Sequence, residues 1–106
     1  MKSNKIYGLL GLARRAGKLS FGTESSQDTI KRKKAKLVII AKDSSDRTKK
    51  NFQILCEKEE IPIRIYGTIE EISKSIGQNN KAVIVIKDEN FSNEIVKKID
   101  GGEIIG

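Results

Sequence analysis

The sequence predicts an α/β domain in which helices cover both faces of a small sheet. Two uninterrupted apolar runs rich in β-branched residues, "LVIIA" and "VIVI", are typical of strands that are buried on both faces. Segments with helical periodicity alternate with these and other strand signals. The 106 residues suit one domain, which we assign to residues 1–100. Three glycines in residues 101–106 predict a frayed tail.

The N-terminal half contains two predicted helices and two predicted strands. Apolar residues at helical spacing predict the first helix, and Gly17 can end it. The apolar face of this helix comprises Ile6, Leu9, Leu10, Ala13 and Ala16. A short strand can follow at residues 19–22, and Thr23 can then cap a polar helix over residues 23–34. The first apolar run, Leu37–Ala41, is the first buried strand.

The third and fourth helices are predicted by their capping residues. Ser44 or Ser45 can cap the third helix. The apolar face of that helix comprises Thr48, Phe52, Leu55 and Cys56. Pro62 stands at the entry to a strand over residues 63–66, where a missing N–H is tolerated. The sequence "TIEE", which starts at Thr68, matches a capping box and predicts the start of the fourth helix.

The last two elements complete the predicted sheet and its cover. Val83–Ile86 is the second fully apolar strand, and Phe91, Ile95 and Ile99 define the apolar face of the last helix. The two fully apolar strands should be central in the sheet, because both of their faces must be buried. The strands at residues 19–22 and 63–66 should flank them.

Positive charge is concentrated in the first third of the chain. The formal net charge is +7. Residues 1–36 contain ten Lys or Arg and two acids, whereas residues 37–106 contain eleven Lys or Arg and twelve acids. A balanced scaffold with one basic region is typical of a surface that binds a polyanion. A role in solubility alone is the simpler alternative.

The densest positive charge directly precedes the first buried strand. Five of the six residues 31–36 are basic. Because Leu37 begins a buried strand, we expect the basic side chains before it to point outward into solvent. Cations are also favourable at a helix C-terminus, but five basic residues in six are more than the helix dipole requires.

Several kinds of chemistry are excluded by composition. The chain has no histidine, so it lacks the usual acid–base group at neutral pH and the commonest metal ligand. Cys56 is the only cysteine, lies on an apolar helical face, and fits a reducing cytoplasm. No signal-peptide pattern is present, and no apolar stretch approaches the roughly 20 residues of a membrane span. We expect a cytoplasmic protein with no catalytic residue, cofactor or bound metal.

The segment from Gly17 to Asp43, "GKLSFGTESSQDTIKRKKAKLVIIAKD", resembles the L7Ae/L30e family of ribosomal proteins, whose members bind kink-turn RNA. The overlapping stretch "LLGLARRAGKL", residues 9–19, is similar to the bacterial YlxQ-like branch of that family. The resemblance implies a three-layer α/β/α sandwich around a small mixed four-stranded sheet. It also implies a non-enzymatic protein that binds structured RNA, either ribosomal RNA or another kink-turn-like RNA.

The same resemblance implies an RNA-binding surface. Its residues would be Gly17, Lys18, Gly22, Thr23, Glu24, Ser25, Gln27, Asp28, Lys31, Arg32, Lys34, Lys36, Gly77, Gln78 and Asn79. The chain departs from the family pattern in three places. Glu24 and Ser25 replace an Asn-Glu pair that reads guanines, and Asp28 replaces a lysine near phosphate. The loop of residues 77–80, which would cover a flipped-out nucleotide, is polar here where the family is usually apolar.

Two other functions remain open at this point. The basic region could dock on an acidic protein partner. Alternatively, Asp43 and Asp46 follow a buried strand, where α/β folds place ligands, and could hold magnesium or a nucleotide. Helix capping is a simpler role for both carboxylates. We expect a monomer with RNA as its partner.

Overall fold

The computed structural model describes residues 4–101. The predicted frayed tail therefore lies outside the described residues except for Gly101. Within the described range the elements are, in chain order, α1 (Lys5–Arg15), β1 (Leu19–Phe21), α2 (Thr23–Lys31), β2 (Leu37–Ile40), α3 (Asp46–Glu59), β3 (Ile63–Ile65), α4 (Ile69–Ser75), β4 (Val83–Ile86) and α5 (Glu89–Asp100).

The strands form a mixed four-stranded sheet in the order β1-β4-β2-β3. β4 pairs antiparallel with both β1 and β2, and β2 pairs parallel with β3. Leu19 and Leu37 both lie opposite Ile86, on either side of it. The two fully apolar strands are therefore central and the two short strands lie at the edges, which confirms the predicted arrangement.

The sheet divides the apolar interior into two layers. Leu37 and Ile39 of β2 pack with α1, α4 and α5, whereas Val38 and Ile40 pack on the opposite face with α2 and α3. Every side chain of β2 and β4 has an exposed fraction of 0%. This burial on both faces confirms the α/β/α sandwich and explains why neither strand shows polar alternation.

Helix α2 differs from its prediction at both ends. Its N-cap is Gly22, with φ 90° and ψ 159°, and no side chain caps the helix. The prediction that Thr23 caps it was wrong, because Thr23 is already helical. The helix ends at Lys31 rather than at residue 34. Lys33 has φ 61°, and this left-handed residue ends the helical path before β2.

The other predicted caps are largely confirmed. Ser45, not Ser44, caps α3 by accepting a hydrogen bond from the N–H of Thr48 at 3.1 Å. Thr68 begins α4 with the predicted capping box. At the end of α1, Gly17 has φ 72° and follows the last turn as expected. Ala16 is exposed there rather than buried with the rest of the apolar face, because the helix has already ended at residue 15.

Candidate nucleic-acid interface

The N-terminus of α2 is an open helix end on a fixed support. The N–H of Gly22 donates to the carbonyl of Val83 at 3.0 Å, which ties the start of the helix to the first residue of β4. Thr23, Glu24 and Ser25 follow with exposed side chains. Because no side chain caps α2, the first N–H groups of the helix remain available to an anion.

A second loop lies beside this helix end. The N–H of Lys81 donates to Ser73 Oγ at 2.7 Å, which fastens the loop of residues 77–80 to α4. Ala41 N–H also donates to Ala82 O at 2.9 Å, so the C-terminal end of β2 reaches the same region. An open groove of about 670 Å³ is lined by Asp43, Ile69, Glu70, Ser73, Lys74, Gly77, Gln78, Asn79 and Asn80. We call residues 22–25, residues 77–81 and Asp43 the loop end of the sheet.

Phe21 lies at the loop end between two cations. The guanidinium of Arg14 is 5.1 Å from the centre of its ring, and Lys81 Nζ is 5.6 Å from it. These distances are within the range of cation–π attraction. Sequence reasoning missed Arg14 and Lys81 because they belong to α1 and to the loop before β4. Only the pairing of Phe21 with Ile84 across the sheet brings β1 beside that loop.

The exposed side of α2 has balanced charge. Asp28 and Arg32 form an exposed ion pair, with 2.9 Å between Oδ2 and Nε. A groove of about 530 Å³ runs along this side and is lined by Glu24, Ser25, Gln27, Asp28 and Lys31. Asp28 therefore already neutralises one of the cations that the sequence assigned to RNA.

The remaining basic residues lie at the other end of α2. Helix α2 has nine residues, so its two ends are about 13 Å apart. Lys33 Nζ contacts Glu59 Oε1 at 2.8 Å, and this contact raises the pKa of Lys33 and lowers that of Glu59. Lys34 and Lys36 are exposed. The predicted site residues thus divide into two groups, of which one lies at the loop end and the other at the opposite end.

Gly17 and Lys18 belong to the second group. They precede β1, which runs toward the loop end, and the carbonyl of Lys18 accepts a hydrogen bond from the N–H of Lys87 at 2.8 Å. Lys87 directly follows β4, whose first residue contacts Gly22. The full length of the sheet therefore separates Lys18 from Gly22.

The carboxylates that could have held magnesium have structural roles. Asp43 Oδ1 accepts a hydrogen bond from the N–H of Ile69 at 2.8 Å and so supports the start of α4. Asp46 is the first residue of α3, where a negative charge is favourable. Over residues 4–101 no group of three or more potential metal ligands occurs. In the same span, none of the helices has the length and apolar character needed to cross a membrane.

The single thiol is part of the core. Cys56 is buried on α3 among the residues packed against the face formed by Val38 and Ile40. Burial raises its pKa to about 11. A thiol with so high a pKa is protonated and unreactive near neutral pH, in agreement with a packing role.

The fold and these surfaces define an α/β/α sandwich that presents an uncapped helix N-terminus beside a polar loop. Residues 4–96 match the Ribosomal protein L7Ae/L30e/S12e/Gadd45 family. The chain belongs to this family, as the resemblance of residues 17–43 predicted.

Individual relatives agree with this assignment. The chain is 37% identical to the RNA-binding protein YlxQ of Enterococcus faecium over 97 residues, which are 92% of this chain and 93% of the relative. It is 29% identical to the RNA-binding protein YlxQ of Bacillus subtilis (strain 168) over 100 residues, which are 94% of this chain and all of the relative.

Solved structures show the same fold. A protein with unknown function from Bacillus halodurans C superposes with a TM-score of 0.89 at 33% identity, covering 92% of this chain and 99% of that one. The Giardia lamblia 15.5kD RNA binding protein superposes with a TM-score of 0.76 at 21% identity, covering 93% and 91%. The second similarity supports the shared fold alone.

Proposed function

We propose that this protein binds structured RNA without catalysing a reaction, and that the loop end makes the shape-specific contact. The observation that carries the proposal is the uncapped N-terminus of α2 at Gly22, held against β4 next to the loop of residues 77–80. Membership of the family and the names of the two YlxQ relatives support it. We propose ribosomal RNA in the cytoplasm as the partner, because the family includes ribosomal proteins.

Backbone groups supply the first contact in this mechanism. The N–H groups that open α2 and the positive end of the helix dipole attract a phosphate. Gly22 lacks a Cβ, so the RNA backbone can approach this turn closely. The exposed hydroxyls of Thr23 and Ser25 add neutral hydrogen bonds, and Arg14 and Lys81 add positive charge nearby.

Two acidic residues on α2, Glu24 and Asp28, disfavour a standard kink-turn. Glu24 can accept a hydrogen bond from a guanine amino group but cannot donate one, so it replaces only part of an Asn side chain. Asp28 repels phosphate and also holds Arg32 at 2.9 Å. We therefore propose that standard kink-turns are bound weakly, and that the natural RNA has a related bent shape.

A charge placed at the loop end tests the proposal. Thr23→Asp puts a carboxylate in the first turn of α2, where it favours the helix but repels phosphate. Asn51→Asp makes the same change of charge on the exposed side of α3 and is the matched control. Titration of both variants against a kink-turn duplex at fixed salt should show about tenfold weaker binding for Thr23→Asp, equivalent to about 1.4 kcal/mol.

Two results would contradict the proposal. Equal losses for Thr23→Asp and Asn51→Asp would mean that the loop end makes no specific contact. Absence of binding by the unchanged protein, both to the kink-turn duplex and to ribosomal RNA at low salt, would remove RNA as the partner.

A further inference from the structure

Three lysines stand side by side at the end of the sheet opposite the loop end. We propose that Lys18, Lys87 and Lys36, here called the lysine row, form a second RNA contact that binds the phosphate backbone of a double-stranded segment without reading its sequence. This inference rests on the proposed function, because it adds a second surface to the same kind of partner. The two surfaces together would hold two parts of one folded RNA.

The row follows from the pairing of three strands. Leu19 and Leu37 both lie opposite Ile86, so the next position outward places Lys18 and Lys36 on either side of Lys87. Lys87 N–H donates to Lys18 O at 2.8 Å and so continues the pairing of β1 with β4. Lys36 N–H donates to Ile86 O at 2.8 Å, which holds Lys36 beside the end of β4 on the other side without placing it directly opposite Lys87. Neighbouring strands are about 4.8 Å apart, so the row spans about 10 Å.

This arrangement has a cost in charge repulsion. Like charges on directly opposite positions of a sheet are destabilising. Across the part of the chain that the structure describes, no member of the row forms an ion pair. Glu89 lines the adjacent groove with Lys36, but that groove also contains Arg64 and Lys97. A chain that needed positive charge only for solubility could place these lysines apart.

The row is too far from the loop end for both to bind the same phosphate. Lys81 and Lys87 stand just outside opposite ends of β4, six residues apart, which corresponds to about 20 Å of extended chain. One phosphate group cannot reach both. The row and the loop end therefore bind different phosphates, and an RNA that touches both must extend along the sheet by about this distance.

Phosphate fits the row better than an acidic protein does. Ammonium groups on flexible stems neutralise successive phosphates without requiring a fixed geometry. Protein interfaces bury an apolar centre. Within residues 4–101, three large apolar side chains are exposed: Leu12 on α1, Ile54 on α3 and Ile65 on β3. None of them belongs to the row. Lys34, exposed and two residues before Lys36, extends the positive charge.

The test compares two triple variants with equal loss of charge. Lys18→Gln, Lys36→Gln and Lys87→Gln together remove the row, whereas Arg47→Gln, Lys50→Gln and Lys58→Gln together remove three exposed charges from α3. The probes are a mixed-sequence RNA duplex of about 16 base pairs without an internal loop, the kink-turn duplex, and poly-glutamate. Affinity is measured over a series of salt concentrations, with melting temperature as the check on folding.

Loss of the row should reduce the slope of log affinity against log salt by about 2–3 on the plain duplex, since each phosphate contact contributes about 0.7–0.9. The α3 variant should change it by less than one. Thr23→Asp should leave binding of the plain duplex unchanged. The proposal for the loop end and the proposal for the row can therefore be refuted separately. Equal slopes for the two triple variants would overturn the inference. A larger loss on poly-glutamate than on RNA would instead assign the row to an acidic protein.

Discussion

The loop end of the sheet presents a fixed backbone shape, whereas the opposite end presents side-chain charge. The loop end presents the turn at Gly22, an uncapped helix and a loop fastened through Ser73. The lysine row presents three flexible cations with no fixed hydrogen-bond geometry. One sheet supports both surfaces, and both β2 and β4 extend from one end to the other.

This difference separates two contributions to binding. Fixed donors select an RNA shape, because only some backbones can place phosphates and base edges against them. Flexible cations add affinity that falls with salt and does not depend on sequence.

Loss of core packing should weaken both ends together. Ile39 and Val85 are fully buried on opposite faces of the central strands. We expect Ile39→Ala and Val85→Ala each to lower the free energy of unfolding by about 2–4 kcal/mol in urea denaturation, because each leaves a cavity. Ile54→Ala on the exposed side of α3 is the control and should change it by less than about 0.5 kcal/mol. Wild-type stability in either core variant would mean that the central strands tolerate cavities.

A substitution at the turn should disturb the loop end alone. Gly22 has φ 90° and ψ 159°, a backbone region that is almost restricted to glycine, so Gly22→Ala should lower the free energy of unfolding by about 1–3 kcal/mol. It should also weaken kink-turn binding and leave binding of the plain duplex intact. Gly8→Ala is the control, because a Cβ there has no neighbour within 4 Å and should stabilise α1 by about 0.5–1 kcal/mol. An equal loss of both RNA probes in Gly22→Ala would contradict the separation of the ends.

Adding positive charge to α2 should tighten the binding of kink-turn RNA. Asp28→Lys removes a repulsion, adds a cation and releases Arg32, so it should tighten binding to a standard kink-turn by about 1–2 kcal/mol. Adding Glu24→Asn and Ser25→Glu should tighten it further. Asp28→Asn is the control, since it releases Arg32 without adding a cation. If the unchanged protein binds as tightly as the triple variant, this side of α2 reads RNA by other contacts.

Acid should weaken the contact between α1 and α4 through Glu71. The Tyr7 hydroxyl donates to Glu71 Oε1 at 3.0 Å, and this bond, followed by those from Thr68, lowers the pKa of Glu71. Because the folded-state pKa lies below the unfolded one, the stabilisation is present above the ordinary glutamate pKa. It disappears as the pH falls through the lowered value.

The size of this acid effect depends on Tyr7. Tyr7→Phe should reduce the drop in melting temperature between neutral pH and about pH 3. Tyr66→Phe leaves the Glu71 bonds in place and is the control. An unchanged acid response in Tyr7→Phe would show that the hydroxyl does not set the pKa. Since Glu71 is largely exposed, this is the smallest of the expected effects.

Local patterns in the sequence were enough to predict most of the fold. The two β-branched runs predicted β2 and β4 as central, and the capping box at Thr68 predicted the start of α4, because each signal acts over a few residues. The start of α2 was missed because Gly22 caps it through backbone conformation, which leaves no side-chain signature. The site residues were assigned to one surface by the family resemblance, which does not give the distances between them in this chain.

The sequence by itself determined the alternation of strands and helices, the burial of β2 and β4, the family, and the concentration of positive charge before residue 37. Only the tertiary structure decided which of those charges are neighbours. Strand register places Lys18 and Lys36 beside Lys87 and brings Lys81 to Phe21. Arg14 reaches the same ring from α1. Helix α2 separates Gly22 from Lys34 by its own length. Periodicity reports the burial of each element, but the distances between elements depend on pairing across the sheet, which joins residues far apart in the chain.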